Sequence, residues 1–454
     1  MENEEKSENR LTSGSIAGSV LRFSLPYLLA YFLQTLYGMA DLFIIGQFGA
    51  VADTTAVSIG SQVMHMLTVM LVGLAMGTTV YVGQAVGGGD HRRAAKGIGN
   101  TVTLFMLLSV VLTGLLLGCR SAIAALMSTP SEALDGTLAY LTVCFAGIPF
   151  ITAYNIISAI YRGLGDSKSP MYFVAAACVA NIGLDYLFMG ALSMGPVGAA
   201  LGTTLSQALS VLLALLAIRR HHALSLQRGD FRLHGEVVGQ LLRIGVPVCM
   251  QDGLIQIAFI IITVIANRRG LVDSAAVGIV EKIISFVFLV PSSMLSTVSA
   301  LGAQNIGAGR KDRALGVLRF AVCIALGFGL AVAVVVQFAA EPFVQLFTPD
   351  AAVIRAGGQY LRGYIWDCVF AGIHFSFSGY FCAVGRSELS FLHNILAIVL
   401  MRVPGVYLAS RFFPDTLLPM GLATAAGSLV SVIICVIAFV MLRRQDRRKE
   451  AGPL

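Results

Sequence analysis

Two acidic side chains occupy places where acid is costly. The run 174–190, VAAACVANIGLDYLFMG, is apolar and, with the residues just before it, long enough to cross a bilayer, yet it carries Asn181 and Asp185. Four residues apart, these two share one helix face. A carboxylate at the bilayer centre costs roughly 2.5–3.5 kcal/mol on insertion scales. Asp185 therefore faces a polar interior or carries a proton, unless it lies at the headgroup level. Asp41 poses the same problem in the run TLYGMADLFIIG, where Gln34, Tyr37 and Asp41 form one helix stripe. Neither carboxylate has a Lys or Arg nearby in its own span. Two like carboxylates in one low-dielectric pocket cannot both stay ionised without a counter-ion. Such a pair can hold a proton and release it when the geometry changes. It can equally bind Na+ through carboxylate, amide and hydroxyl oxygens, with Asp41, Asn181, Asp185 and Thr203 as the candidate ligands. Residue types alone do not separate the two.

Other polar groups in apolar runs extend the candidate set. Asn155 and Ser158 lie in the fourth span, and Thr203 follows the small-residue run 198–202 in the sixth. Small residues allow close helix approach, so each of these polar groups serves either as an interhelical hydrogen bonder or as a ligand. In the second half, Gln251, Asp252, Glu281 and Lys282 are candidates for a substrate cavity, together with Gln34 and Ser158 from the first. Glu281 and Lys282 are adjacent and point about 100° apart on a helix, so they do not pair with each other. Both can still face a cavity, with Lys282 as the counter-charge of some other carboxylate. Asp367 follows Trp366 near the end of its span, where an interfacial position competes with a cavity position. His65 and His374 lie within spans, where a neighbour satisfies a lone His more often than it relays protons; His393, at the start of a span, reads as interfacial.

Several chemistries are disfavoured. The glycine runs 87–89 and 307–309 lack a following Gly-Lys-Ser/Thr and a preceding strand, so they read as turns and not as phosphate loops. Without a Walker motif, a Ser-His-Asp order or an HExxH, neither ATP-driven transport nor a membrane hydrolase is expected. No enzyme activity and no cofactor are expected either. Eight cysteines are scattered through apolar runs without metal-ligand spacing and read as packing thiols.

The elements that position these groups must be membrane helices. Of 454 residues, 57% are hydrophobic and 12% charged, with mean hydropathy +0.82, whereas soluble chains carry about 25% charged residues. About twelve spans are legible, each near the ~20 residues a bilayer requires. They run 21–46, 56–86, 98–117, 138–160, 171–190, 197–218, 241–266, 275–304, 318–338, 360–381, 392–409 and 418–442. One set of loops holds Arg92, Arg93, Lys96, Arg162, Lys168, Arg228, Arg232, Arg310, Lys311, Arg313 and Arg386; the other holds mainly Asp53, Glu132, Asp135, Glu341 and Asp350. Arg268, Arg269, Arg355 and Arg411 are exceptions. By the positive-inside rule the basic set and both termini are cytoplasmic. The net charge of +7 thus reports topology, and no nucleic-acid partner is expected. The polar, acidic start MENEEKSENR does not read as a cleavable signal peptide, so the first span would itself direct insertion.

The chain also repeats itself. GQAVGGG at 83–89 returns as AQNIGAG at 303–309, each followed by a basic stretch, so Gln84 matches Gln304 at an offset of 220. Pro26 matches Pro247, and Gly165 matches Gly385. Three anchors at nearly one offset imply a first six-helix lobe over 1–220, a cytoplasmic linker over 221–236 and a second lobe over 237–454. With an even number of spans per half, the two are parallel repeats, an arrangement used by transporters.

These residues together resemble the multidrug and toxic compound extrusion (MATE) transporters over nearly the whole chain. The resemblance rests on Pro26, Asp41, the Gly83-Gln84 run, the stretch RGLGDSKSP at 162–170, Asn181 through Tyr186, and Gly198-Ala199-Ala200. It implies an all-α membrane protein of two pseudo-symmetric six-helix bundles enclosing a V-shaped cavity. It also implies export of organic cations and amphipathic drugs in exchange for H+ or Na+. The DinF-like branch is the nearest in pattern. That branch uses a first-lobe carboxylate pair with polar neighbours, matched here by Tyr37, Asp41, Asn155, Asn181, Asp185 and Thr203. The second-lobe carboxylates of NorM-like members are not carried over, because Asp252 and Asp367 are displaced by about a turn. Drug-like small molecules and membrane lipid are then the partners, a bacterial inner membrane the location, and a monomer the expected state. A lipid-linked precursor or polysaccharide flippase shares the duplicated plan, but its cavity should be lined by cations for pyrophosphate. A channel would show flux without coupling to an ion gradient.

Overall fold

The computed structural model describes residues 11–220 and 226–450, and among them it contains helices and turns but no strand. The first half comprises α1 (Ile16–Phe48), α2 (Val51–Gly87), α3 (His91–Leu126), α4 (Ser131–Ala146), α5 (Ile148–Leu164), α6 (Lys168–Asp185) and α7 (Gly195–Arg220). The second comprises α8 (Gly235–Asn267), α9 (Leu271–Val287), α10 (Leu289–Gly307), α11 (Lys311–Gln345), α12 (Ala351–Tyr364), α13 (Trp366–Ala383), α14 (Ser387–Ala397), α15 (Val403–Phe412) and α16 (Leu418–Glu450). Wide π-turns extend α6 over Tyr186–Ala191 and join α14 to α15 over Ile398–Arg402.

The apolar surface of these helices points outward. The most apolar window of α3 has mean hydropathy 2.4, yet only 11% of it is buried by the protein itself. Leu25, Phe43, Val110 and Val111 are all more than half exposed. In water this would be a large unfavourable area; in a bilayer it is the lipid face. The protein is therefore a multi-pass membrane protein.

Among the described residues, ten helical stretches are long and apolar enough to span a membrane, and an eleventh is obtained by joining α4 to α5 across their 49° bend. The bend falls at Gly147, where Pro149 in the first turn of α5 lacks the N–H that would continue the ladder. The remaining expected span, 360–381, the tenth along the chain, falls across α12 and α13, which break at Ile365. Arg355, Gln359 and Arg362 make the first of these too polar, and Asp367 and His374 dilute the second.

The repeat is visible in the helix starts: Val51, His91 and Ser131 return as Leu271, Lys311 and Ala351, each 220 residues on (51 against 271). Gly165 and Gly385 end α5 and α13 in the left-handed region, with φ +91° and +74°. There a Cβ would clash with the carbonyl, and the N–H of the next residue closes back on the helix in both copies (Asp166 to Tyr161 and Arg386 to Phe381, 2.8 Å each).

By backbone proximity the chain divides into two compact units. Of the described residues, the first holds 11–12, 21–220, 226–249 and 307–309, and the second holds 13–20, 250–306 and 310–450. Their division falls inside α8. The expected linker lies partly outside the described residues, at 221–225; the remainder packs onto the first unit. Its short helical turn Arg228–Phe231 lies against α3. Asp230 is fully buried, pairs with Arg92 at 2.9 Å and accepts the Gln227 N–H at 2.8 Å. Asn100 donates to the Asp230 carbonyl at 3.1 Å and accepts the His234 N–H at 2.7 Å. Asp230→Ala should therefore lower stability by about 1–3 kcal/mol by stranding the Gln227 N–H and the Arg92 guanidinium, while the Asn100 bond to the residue 230 carbonyl survives. The readout is a lower Tm in detergent together with faster proteolysis near 226–236.

The charge exception Arg269 also finds a structural reason. Its guanidinium pairs with Asp273 at 2.6 Å and donates to the carbonyls of Ser410 and Pro414 at 2.9 and 2.7 Å. It holds the turn after α15 and so does not report topology. Five of the eight cysteines are buried, as packing thiols would be, but Cys119 and Cys323 lie on exposed helix faces.

Candidate functional site

Three helices of the first unit bring the expected carboxylates together. Asp41 comes from α1, Asn181 and Asp185 from the last turn of α6, and Thr203 from α7. Asp41 is 4% exposed, and Asn181 and Asp185 are fully buried. Thr203 Oγ1 donates to Asp41 Oδ2 at 3.0 Å. Asp41 also meets Asp185 and Asn181 side chain to side chain. One turn away on α1, the Tyr37 hydroxyl accepts from Gln207 Nε2 at 3.1 Å. Tyr37, Tyr140 and Cys144 all lie close enough to feel the Asp41 charge. The apolar cluster of Ile44, Ile45, Tyr140, Leu141 and Phe145 belongs to the same unit and excludes water from it.

The local sequence explains the convergence. Asp185 ends the regular part of α6 at the point where the ladder widens into the π-turn Tyr186–Ala191, and such turns are concentrated at functional sites. Gly202 on α7 provides the space. A Cβ there would overlap Asp185 Oδ1 and lie 3.6 Å from Asn181 Nδ2. Gly202→Ala should push Asp185 off its position, at a cost of about 1–3 kcal/mol from overpacking. It should also weaken ion-driven transport more than Gly198→Ala, which meets the Phe188 backbone and not the carboxylate. Tm and flux measured on the two variants side by side check this.

The donor set is short of hydrogen. Asp41 Oδ1, both Asp185 carboxylate oxygens and both polar atoms of the Asn181 amide are buried without a protein hydrogen bond of normal geometry. Buried polar groups are rarely left so. Two carboxylates, an amide oxygen and a hydroxyl form an oxygen-rich cluster of net negative charge, suited to a shared proton or a small monovalent cation.

The remaining candidates behave differently. Asn155 is buried, but its amide donates to Ile151 of its own helix at 2.8 Å. Ser158 is buried on the same helix, and Gln34 is half-buried on α1. Gln251 is buried in the second unit and accepts from Ser390 at 2.6 Å, with the half-buried Asp252 beside it. Glu281 accepts from Thr263 at 3.3 Å. Lys282 is exposed and makes no ion pair among the described residues.

The structure bears on two readings of single residues. His393 is not interfacial: α14 begins at Ser387, which carries His393 well inside the unit, fully buried. It bonds Ser378 at 2.8 Å and Ser431 at 2.6 Å. Asp367, for which an interfacial and a cavity position competed, is fully buried inside the second unit. Arg402, absent from the sequence expectations, donates through Nη2 to both Asp367 oxygens at 2.9 Å and to Ser428 at 2.9 Å. Arg402 stands alone in an apolar run, IVLMRVPGVYL, and that isolation was the available signal. Gln207 and Gly202 were also missed. Gln207 lies one turn after Thr203 on the same face, which the helix period could have shown.

Comparison with known proteins places the fold. A MatE family profile matches residues 26–187 and again 247–408, the second match starting 221 residues after the first (26 against 247). The chain is 26% identical over 444 residues to the probable multidrug resistance protein YoeA of Bacillus subtilis, covering 96% of each chain. It is 24% identical over 436 residues to the probable multidrug resistance protein NorM of Thermotoga maritima, covering 95% of this chain and 94% of that one. Among solved structures, the outward-facing conformation of a multidrug resistance MATE family transporter superposes with TM-score 0.89 at 23% identity, covering 97% of this chain and 98% of the other. Both halves of the sequence carry the family pattern, and the helices follow the family fold from end to end: the chain belongs to the MatE family.

Proposed function

We propose that the protein is a secondary active exporter of organic cations and amphipathic drugs, driven by inward movement of H+ or Na+ at the Asp41–Asp185 site. The reading draws on the multidrug resistance names of its relatives, but the observation that carries it is the buried carboxylate pair with its unsatisfied oxygens. An ion-free pair repels itself; a proton or Na+ removes that repulsion and lets α1, α6 and α7 close on one another. Asp41 is the movable partner, because α1 contains Pro26 and its backbone approaches its neighbours only sparsely. Ion binding then shifts the outward/inward equilibrium only by its differential affinity for the two states, which is the whole of the coupling. Tyr37, held by Gln207, and Thr203 fix the geometry around Asp41. This first-unit pair is the feature that points to the DinF-like branch. A bacterial inner membrane, cytoplasmic termini and a functional monomer complete the reading.

The test is ethidium efflux from proteoliposomes with pH and Na+ gradients imposed separately. Efflux that follows one gradient and collapses when it is dissipated supports the proposal and identifies the ion. Flux indifferent to both gradients rejects it in favour of a channel.

A further inference from the structure

The second unit contains a cavity that the carboxylate site does not use. Phe259, Phe288 and Phe375 form its apolar side. Arg402, His374 and Asn394 form its polar side, and no Asp or Glu lines it. Its volume is about 50 Å³, room for a carboxylate and the edge of a ring but not for a whole drug-sized molecule.

The polar side offers donors. Asp367 and Ser428 are both served by Nη2 of Arg402, and among the described residues no protein atom accepts from Nη1 or Nε. His374 is only 4% exposed, and its Nδ1 has no hydrogen-bond partner. Its ring meets Phe375 edge-on at 4.9 Å and His393 at 5.5 Å, so the imidazole is packed between two rings. A buried guanidinium with spare planar N–H groups is the side chain best matched to a carboxylate, and the neighbouring rings suit an aromatic body.

We propose that this cavity is a subsite for the carboxylate end of an aromatic carboxylic acid, its oxygens taken by Arg402 and His374 and its ring by the phenylalanine side. Asp367 holds the guanidinium in place from behind and lowers its net charge, so the preference for acid over the neutral amide is modest, about tenfold. The subsite deepens the drug-export reading, on which it rests, by giving the carboxylate end of such a substrate a place in the second unit. Its binding test needs no transport.

The experiment is equilibrium dialysis of the purified full chain in detergent with labelled 2-naphthoate, against 2-naphthamide. The expected result is saturable binding of the acid, about tenfold tighter than of the amide. Ile255→Trp, which fills the cavity from α8 and leaves both members of the ion pair in the sequence, should abolish saturable binding of both. His374→Phe should weaken the acid more than the amide. The double variant Arg402→Gln with Asp367→Asn, which keeps the volume of the pair, should lose the preference; if it does not fold, the other two variants decide. Equal affinity for acid and amide, no saturable binding, or a preference that survives Ile255→Trp would overturn the proposal. Failure here leaves gradient-driven ethidium efflux untouched, and loss of that efflux leaves naphthoate binding untouched.

Discussion

Asp41→Asn should reduce gradient-driven drug efflux at least about tenfold, to the level of empty liposomes, while leaving the protein folded. Asparagine keeps the shape and can still accept from Thr203 Oγ1, which now donates to Asp41 Oδ2 at 3.0 Å. What it removes is the charge that makes the ion-free and ion-bound states differ. Without that difference an ion gradient has nothing to act on, however well the drug binds. Stability should hold or rise, because one of two buried carboxylates is neutralised and the mutual repulsion goes with it. This opposite movement of activity and stability separates a coupling role from a structural one. Asp185→Asn should behave alike, and the double variant should be no worse than either single, since the pair acts as a unit. Undiminished gradient-driven efflux by Asp41→Asn, with a normal Tm, would reject the assignment.

Arg402→Met should destabilise the protein by about 3–5 kcal/mol, the largest stability effect expected from any single change described above. The Asp367 side chain is wholly shielded from solvent, and that of Arg402 is only 10% accessible. Removing the guanidinium leaves a bare carboxylate in the interior and strands the Ser428 hydroxyl that accepts from it at 2.9 Å. The cost is that of the abandoned charge and not the net worth of the pair. Removing both charges with Asp367→Leu and Arg402→Met should therefore restore most of the lost stability, because an apolar pair of similar volume packs without the desolvation penalty. Thermal unfolding in detergent of the two singles and the double measures the coupling. If the double is as unstable as Arg402→Met alone, the pair is not what holds these helices.

The two units solve the buried-carboxylate problem in different ways on a repeated scaffold. In the first, Asp41 and Asp185 face each other with a Thr and an Asn, leaving oxygen atoms unsatisfied. In the second, Asp367 is matched by a resident cation, Arg402, which ends a π-turn. The charged residues do not occupy equivalent positions: 220 residues beyond Asp185 lies Gly405, and beyond Asp41 lies Ile261. Helix starts and turn glycines are what the two halves share. The pattern predicts exchangeable ion chemistry for the first unit and a fixed charge for the second.

Much of the architecture was legible in the sequence because membrane insertion is read from composition. Long apolar runs, the 220-residue repeat, and glycines at 165 and 385 all act locally or through simple solvent preference, and a helix period put Asn181 and Asp185 on one face before any fold was known. Which polar groups then meet is a matter of helix rotation and packing, and no local rule sets those. Only the tertiary structure decided that Gly202 makes room for Asp185, that Asn155 turns back on its own helix, that His393 is buried, and that Asp367 has its cation 35 residues away on another helix. The physical reason is that a charge in an apolar run announces an unmet need for a partner, while the partner's identity depends on distances between helices that the chain settles only when it packs.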